Sequence, residues 1–161
     1  MPADELPSRG LRTCHPLVED GTARTRLRPD AAERFTPLRR ELGVSSFGMN
    51  QIVLQPGQRG RIHRHRHQEE VYLVLEGTLT LLLEDEPTEL GEGEVVRVAP
   101  GIRRQLVNRE SGRLVLLALG GAREHQGRDG EAFASWNDEH PVSPQELSMP
   151  PDLAPDQLRT R

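Results

Sequence analysis

Three of the chain's six histidines, His63, His65 and His67, fall within five residues, and a carboxylate, Glu70, follows closely. Side chains two apart on a strand share a face. His63 and His65 can therefore lean toward one point while Arg64 faces away. Glu70 opens an apolar run, Val71 to Leu75, that ends at Glu76-Gly77. Two imidazoles and a carboxylate converging from adjacent strands form a mixed nitrogen and oxygen donor set, which suits a first-row divalent metal. Tyr72 lies two residues beyond Glu70 and shares its face. It either offers a hydroxyl donor to a pocket or packs with its phenol reaching a core partner. Asn50 and Gln51 straddle the preceding strand, so one of the two faces the same cavity.

The spacing G-x5-H-x-H-x4-E-x6-G, carried here by Gly57, His63, His65, Glu70 and Gly77, resembles the first motif of the cupin superfamily. A second cupin motif, G-x5-P-x-G-x2-H-x3-N, is matched downstream by Gly93, Gly101 and Asn108, with Ala99 at the proline position and Pro100 just after it. Arg104 stands where that motif carries a histidine, the family's fourth metal ligand. The resemblance covers roughly Ser46 to Gly120. It implies an all-β double-stranded β-helix, the jelly-roll barrel, with His63, His65 and Glu70 as ligands to Fe, Mn, Ni or Zn. It also implies a homodimer.

A guanidinium stays charged wherever it is placed. At the position of Arg104 it either pairs with Glu70 and keeps the site metal-free or points at an anionic substrate. His67 is a possible extra ligand, but on a regular strand it lies roughly 13 Å along from His63 at about 3.3 Å per residue. It serves as a ligand only if the chain bends after His65, and otherwise as a rim residue. Arg59, Arg61, Arg64 and Arg66 form a basic cluster that either attracts anions to the mouth or is a solvated strand face.

Composition narrows the function classes. All 21 basic residues are arginine, which excludes lysine Schiff-base chemistry and the phosphate-loop lysine. A net charge of −4 argues against a nucleic-acid partner. Cys14 is the only cysteine, so neither an intrachain disulfide nor a cysteine-rich zinc site is available. The start Met-Pro-Ala-Asp-Glu lacks the basic and apolar parts of a signal peptide, and no apolar run reaches membrane-spanning length. The expectation is a cytoplasmic protein without a membrane partner.

The elements that must position these residues read as three parts. Residues 1–45 form an N-terminal arm, with an outer strand over Thr22 to Leu27 and a short helix from Pro29-Asp30 that places Phe35, Leu38 and Leu42 on one face and stops at Gly43. Cys14-His15 is an exposed arm rather than a metal-site fragment. Residues 46–120 form the barrel. Its strands are Phe47 to Gln55, Ile62 to His67, Glu70 to Glu76, Leu79 to Glu84, a short return at Glu89-Leu90, Val95 to Ala99, Arg103 to Asn108 and Arg113 to Leu119. Residues 121–161 form a polar C-terminal extension with a mobile end. In it Phe133 and Trp136 either cap the mouth or pack on the outer surface, and Ser143-Pro144-Gln145-Glu146 opens one helical turn.

Two functions fit this pattern. One is a metalloprotein, dioxygenase- or isomerase-like, acting on a small anionic molecule, with Arg104 and Tyr72 contacting the substrate. The other is a metal-free binding or sensing module that holds a carboxylate or sugar through Arg104. Metal-free sugar epimerisation, recruiting His63 and Tyr72, is a third reading that no spacing specially supports.

Overall fold

The computed structural model describes residues 21–121 and 128–159. Ten strands run as β1 (Phe35–Thr36), β2 (Gly48–Leu54), β3 (Ile62–His65), β4 (Glu69–Glu76), β5 (Leu79–Leu83), β6 (Glu86–Leu90), β7 (Val95–Val98), β8 (Arg104–Val107), β9 (Leu114–Gly121) and β10 (Gly130–Phe133). They form two five-stranded antiparallel sheets, β1-β2-β9-β4-β7 and β10-β3-β8-β5-β6. Their inner faces enclose one core, in which Ile52, Leu54, Tyr72, Val74, Leu114 and Leu116 of the first sheet meet Leu79, Leu81 and Leu106 of the second. This is the expected jelly roll. No helix among the described residues is long and apolar enough to cross a membrane.

Polarity changes along the strands. On the inner face of β4, Glu70 is followed by Tyr72 and Val74; on that of β8, Arg104 is followed by Leu106. One end of the barrel is therefore apolar and the other carries the ionisable groups. The strand ends are fixed by glycine turns. Gly77 has φ 84°, and a Cβ there would lie 2.6 Å from the Arg113 carbonyl oxygen, so no other residue fits without moving the backbone.

The arm differs from the helical expectation. Phe35–Thr36 pairs with Gln51 and Ile52 as β1, and the helix α1 is confined to Leu38–Leu42. Pro37 explains the boundary, because the residue before a proline is pushed out of helical geometry. Gly43 ends α1 in the left-handed conformation, as expected. Over Thr22 to Leu27 the chain makes a single bridge position at Thr22 and no strand. Just beyond, the Arg28 N–H and C=O are both taken by the Gln51 side chain at 2.6 Å instead of by a neighbouring strand. Strand β6 begins earlier than expected, at Glu86, and includes Pro87; as a sheet edge it tolerates the missing donor. Cys14-His15 lies outside the described residues.

The C-terminal segment closes on the barrel. β10 pairs with β3, setting Gly130 opposite His65 and Ala132 opposite His63. Ser143 to Glu146 makes one hydrogen-bonded turn, with the Glu146 carboxylate accepting from the Ser143 N–H at 3.0 Å. Further on, Leu153 donates to the Gly57 carbonyl at 2.8 Å and Arg159 to that of Arg109 at 2.7 Å.

Candidate metal and ligand site

Alternation on β3 turns His63 and His65 inward, and β4 brings Glu70 to meet them. His63 Nε2 lies 3.6 Å and His65 Nε2 3.4 Å from the same oxygen, Glu70 Oε2. One donor atom from each residue lies within 4.8 Å of the other two. The two rings stand edge to face, with centroids 5.6 Å apart. His63 Nδ1 is 3.1 Å from the Arg61 carbonyl oxygen, which can only accept. Nδ1 therefore carries the proton, and in the neutral ring Nε2 presents a lone pair to the Glu70 carboxylate. Two lone-pair atoms facing each other across this gap call for a cation or a proton between them. Metal–donor bonds of about 2.0–2.2 Å hold adjacent ligand atoms roughly 3–3.5 Å apart. The observed separations and the donor chemistry fit a divalent first-row ion.

Glu70 Oε2 has two further donors. The Tyr72 hydroxyl donates to it at 2.5 Å, and Arg104 Nη2 at 3.2 Å. Burial by itself would raise the Glu70 carboxyl, but when a proton fills the gap at the imidazole Nε2 atoms, hydrogen bonds and charge from His63 and His65 outweigh burial and hold the group well below the usual carboxylate range. Burial, reinforced by the negative charge of Glu70, pushes the Tyr72 phenol well above its ordinary value. Tyr72 is therefore a proton donor at any working pH. Arg104 sits directly across from His63 in the β3–β8 register and is fully buried. Its Nη1 donates to the Ile102 carbonyl at 2.8 Å, and its Nε is buried without a partner.

A cavity of about 170 Å³ opens onto this group, lined by His63, His65, Glu70, Tyr72, Asn50 and Phe35 among others. Asn50 is thus the residue of the Asn50–Gln51 pair that faces the ligand space. His67 stands apart: its side chain is exposed and its Nδ1 donates to Asp129 Oδ1 at 2.8 Å. The chain does bend after His65, but the bend carries His67 outward. Phe133 and Trp136 lie on the outer side of the second sheet, where the Arg103 guanidinium stands over both rings.

Three residues of the site carried no signal in the sequence. Asp129 is buried and accepts from the His67 and Gln68 backbone N–H groups at 3.0 and 2.9 Å, with Oδ2 3.8 Å from His65 Nδ1. Pro144 and Phe35 supply parts of the cavity wall. All three come from segments outside the motif.

A jelly roll with two histidines and a glutamate at its polar end defines a class of small β-barrel proteins with a candidate metal centre. Residues 50–120 match the family described as Cupin domain, so the barrel is a cupin domain. Among solved structures it is similar to a sugar phosphate isomerase from a cupin superfamily of Silicibacter pomeroyi, with 27% identity and a TM-score of 0.55; the likeness covers 63% of this chain and 64% of that one. The chain therefore spans slightly less than two thirds of that relative's length. It also resembles a cupin protein from Bacteroides fragilis at 20% identity and TM-score 0.57, covering 65% of this chain and 86% of that one. A conserved protein with a double-stranded β-helix domain from Klebsiella pneumoniae is similar at 18% identity and TM-score 0.50, covering 56% and 76%. Among curated proteins, no sequence matches this chain.

Proposed function

We propose that this cupin binds a divalent metal, Fe, Mn, Ni or Zn, through His63, His65 and Glu70 and acts on a small anionic molecule in the barrel cavity. The observation that carries this reading is the convergence of both imidazole Nε2 atoms on one Glu70 oxygen, with His63 Nδ1–H donating to the Arg61 carbonyl. The bound ion would polarise a substrate oxygen. The chain's own residues do the positioning. Tyr72 and Arg104 fix the Glu70 rotamer, Arg61 fixes the His63 tautomer, and Asn50 adds a further polar group to the cavity wall. An isomerase-like reaction is favoured over a dioxygenase-like one by the likeness to the Silicibacter pomeroyi sugar phosphate isomerase. At about 170 Å³ the cavity admits a compact substrate.

Elemental analysis of protein purified without an affinity tag tests the metal directly. About one divalent ion per chain is expected, and His65→Ala should lose it. Protein that is metal-free as isolated and takes up none of Fe, Mn, Ni or Zn in titration removes this reading. A metal-free ligand-binding module then takes its place, and the 3.2 Å contact between Arg104 and Glu70 is what favours that alternative. Arg104→His separates the two. If Arg104 occupies a ligand position, the variant binds metal more tightly than wild type.

A further inference from the structure

We infer that a second small-molecule site lies outside the barrel, in the cleft between the outer face of β3 and the C-terminal segment, and that it takes an aromatic anion of about one ring. The cavity there, about 280 Å³, is larger than the barrel cavity. Its walls include Arg59, Arg61, Phe133, Trp136, Leu147 and Pro150, and no carboxylate is among its lining residues.

The two arginines supply the anion site. Arg59 Nε donates to the Pro151 carbonyl at 2.8 Å and Arg61 Nε to that of Leu147 at 2.6 Å. Each bond uses one of the five N–H groups a guanidinium carries. Among the described residues, neither guanidinium has a carboxylate within ion-pair distance. The acid next to Pro151, Asp152, is engaged by Arg34 at 3.0 Å. Stapling the C-terminal segment accounts for the Nε bonds. It does not account for two uncompensated charges beside a cleft lined without acids. Paired guanidiniums held in place are suited to a carboxylate or phosphate group.

The opposite wall is aromatic and preformed. Phe133 is buried on β10, and Arg103 Nη1 donates to the Trp136 carbonyl at 2.7 Å. The Arg103 guanidinium stands 5.5 and 5.8 Å from the Phe133 and Trp136 ring centroids, and is itself held by Glu84 at 2.8 Å. Arg64 also stands 5.2 Å from the Phe133 centroid, and a wall fixed in this way needs little ordering when a ring packs against it. The volume falls just under the range of about 300–1,000 Å³ usual for drug-sized ligands, which selects one ring and one charged group over a nucleotide.

Trp136 is the only tryptophan, so its emission reports on this cleft. The full chain, titrated with phenyl phosphate, should show a saturable change in that emission. Phenol, which lacks the charge, and inorganic phosphate, which lacks the ring, should each bind roughly tenfold or more weakly. Arg59→Gln should weaken phenyl phosphate by roughly tenfold. Because that variant could also loosen the C-terminal segment, Ser148→Phe provides a second test. Ser148 is exposed at the cleft, and a phenyl group there fills the space while keeping both arginines; the response should disappear. His65→Ala, which disables the barrel site, should leave the response unchanged. The inference is overturned by no saturable change up to about 10 mM ligand. Equal affinity for phenol and phenyl phosphate, a response that survives both cleft variants, or a response lost in His65→Ala would each overturn it too.

Discussion

Arg104 and Arg113 each meet a glutamate at one end of the barrel, and the better-bonded of the two should matter less. Arg113 grips Glu76 with two N–H groups, at 2.9 and 3.1 Å, and also reaches Asp30. Arg104 has a single contact to Glu70, at 3.2 Å. Yet the Arg113 side chain is 31% exposed and Asp30 is 93% exposed, whereas Arg104 is 0% exposed and Glu70 13%. Water and salt screen the first arrangement, and exposed pairs of this type add little. In the second, neither charge can be rehydrated if its partner is lost. Burial therefore ranks these contacts, and hydrogen-bond count does not.

Removing Arg104 tests this ranking most severely. Arg104→Leu keeps the apolar packing and takes from Glu70 its one permanent positive partner, leaving the buried carboxylate to Tyr72 and the two imidazoles. The expected loss is about 3–5 kcal/mol of unfolding free energy in metal-free protein, read from urea denaturation. Adding a divalent metal should restore part of it, because a cation bound by His63, His65 and Glu70 supplies the missing positive charge. A variant as stable as wild type without metal would show that burial is not what makes this pair matter.

Tyr72→Phe removes only the hydroxyl that donates to Glu70. The carboxylate keeps Arg104, so the expected cost is smaller, about 1.5–3 kcal/mol, in the range of a hydrogen bond to a charged group. Metal affinity should change along with stability, because Tyr72 holds the carboxylate that faces both imidazoles. A stability loss with unaltered metal affinity would mean that Tyr72 is a core residue only.

The difference between these residues and the rest of the site also decides what could be read from the sequence. His63, His65, Glu70 and Tyr72 are placed by strand alternation within one short stretch, a local rule that needs no knowledge of topology. The interior position of Arg104 follows from its spacing to Gly101 and Asn108. Asn108 is buried, with its side chain bonded to the Leu54 and Gly112 carbonyls, and it anchors that end of β8. Asp129 is brought to His65 only because β10 pairs with β3 across more than sixty residues of chain. The Gly-Glu-Ala-Phe sequence of β10 carries too little alternation to announce that pairing. Phe35 misled for the opposite reason. Its 3–4 spacing with Leu38 and Leu42 is helical, but Pro37 separates it from α1 and edge pairing with β2 makes it a strand residue.

Asp129 falls between the two arginines in expected effect, being buried but held mainly by backbone donors. Burial alone would raise its carboxyl. The Gln68 and His67 N–H groups, then the His67 ring, then the charge of His65 lower it below the ordinary value. A folded pKa below the unfolded one stabilises the protein above the unfolded value and loses that stabilisation as the pH falls through the folded value. Asp129→Asn should cost about 1–2 kcal/mol at neutral pH, since one acceptor oxygen becomes a donor facing N–H groups. The gap between wild type and variant should stay level above about pH 5 and close as the pH drops below about 4. A gap that widens on acidification would contradict the sign of the shift.

The smallest effect is expected at Arg113, and it is the one that sharpens the comparison. Its pairing with Glu76 and Asp30 raises the guanidinium above its usual value, but an arginine is charged throughout the accessible pH range either way, so the shift has no consequence for stability there. The three side chains lose rotamer freedom to make the contacts, and the surrounding water competes for every donor. Arg113→Gln should melt within error of wild type at physiological salt. A small deficit should emerge only at low ionic strength, where the Debye length grows to about 30 Å at 0.01 M. The backbone of residue 113 has a separate role, because its carbonyl oxygen is what excludes a side chain at Gly77. Gly77→Ala should therefore destabilise far more than Arg113→Gln, although the two residues are in contact. If the two variants were instead equal, the exposed guanidinium would be contributing as much as a steric constraint of the backbone, and burial would no longer explain why Arg104 and Arg113 differ.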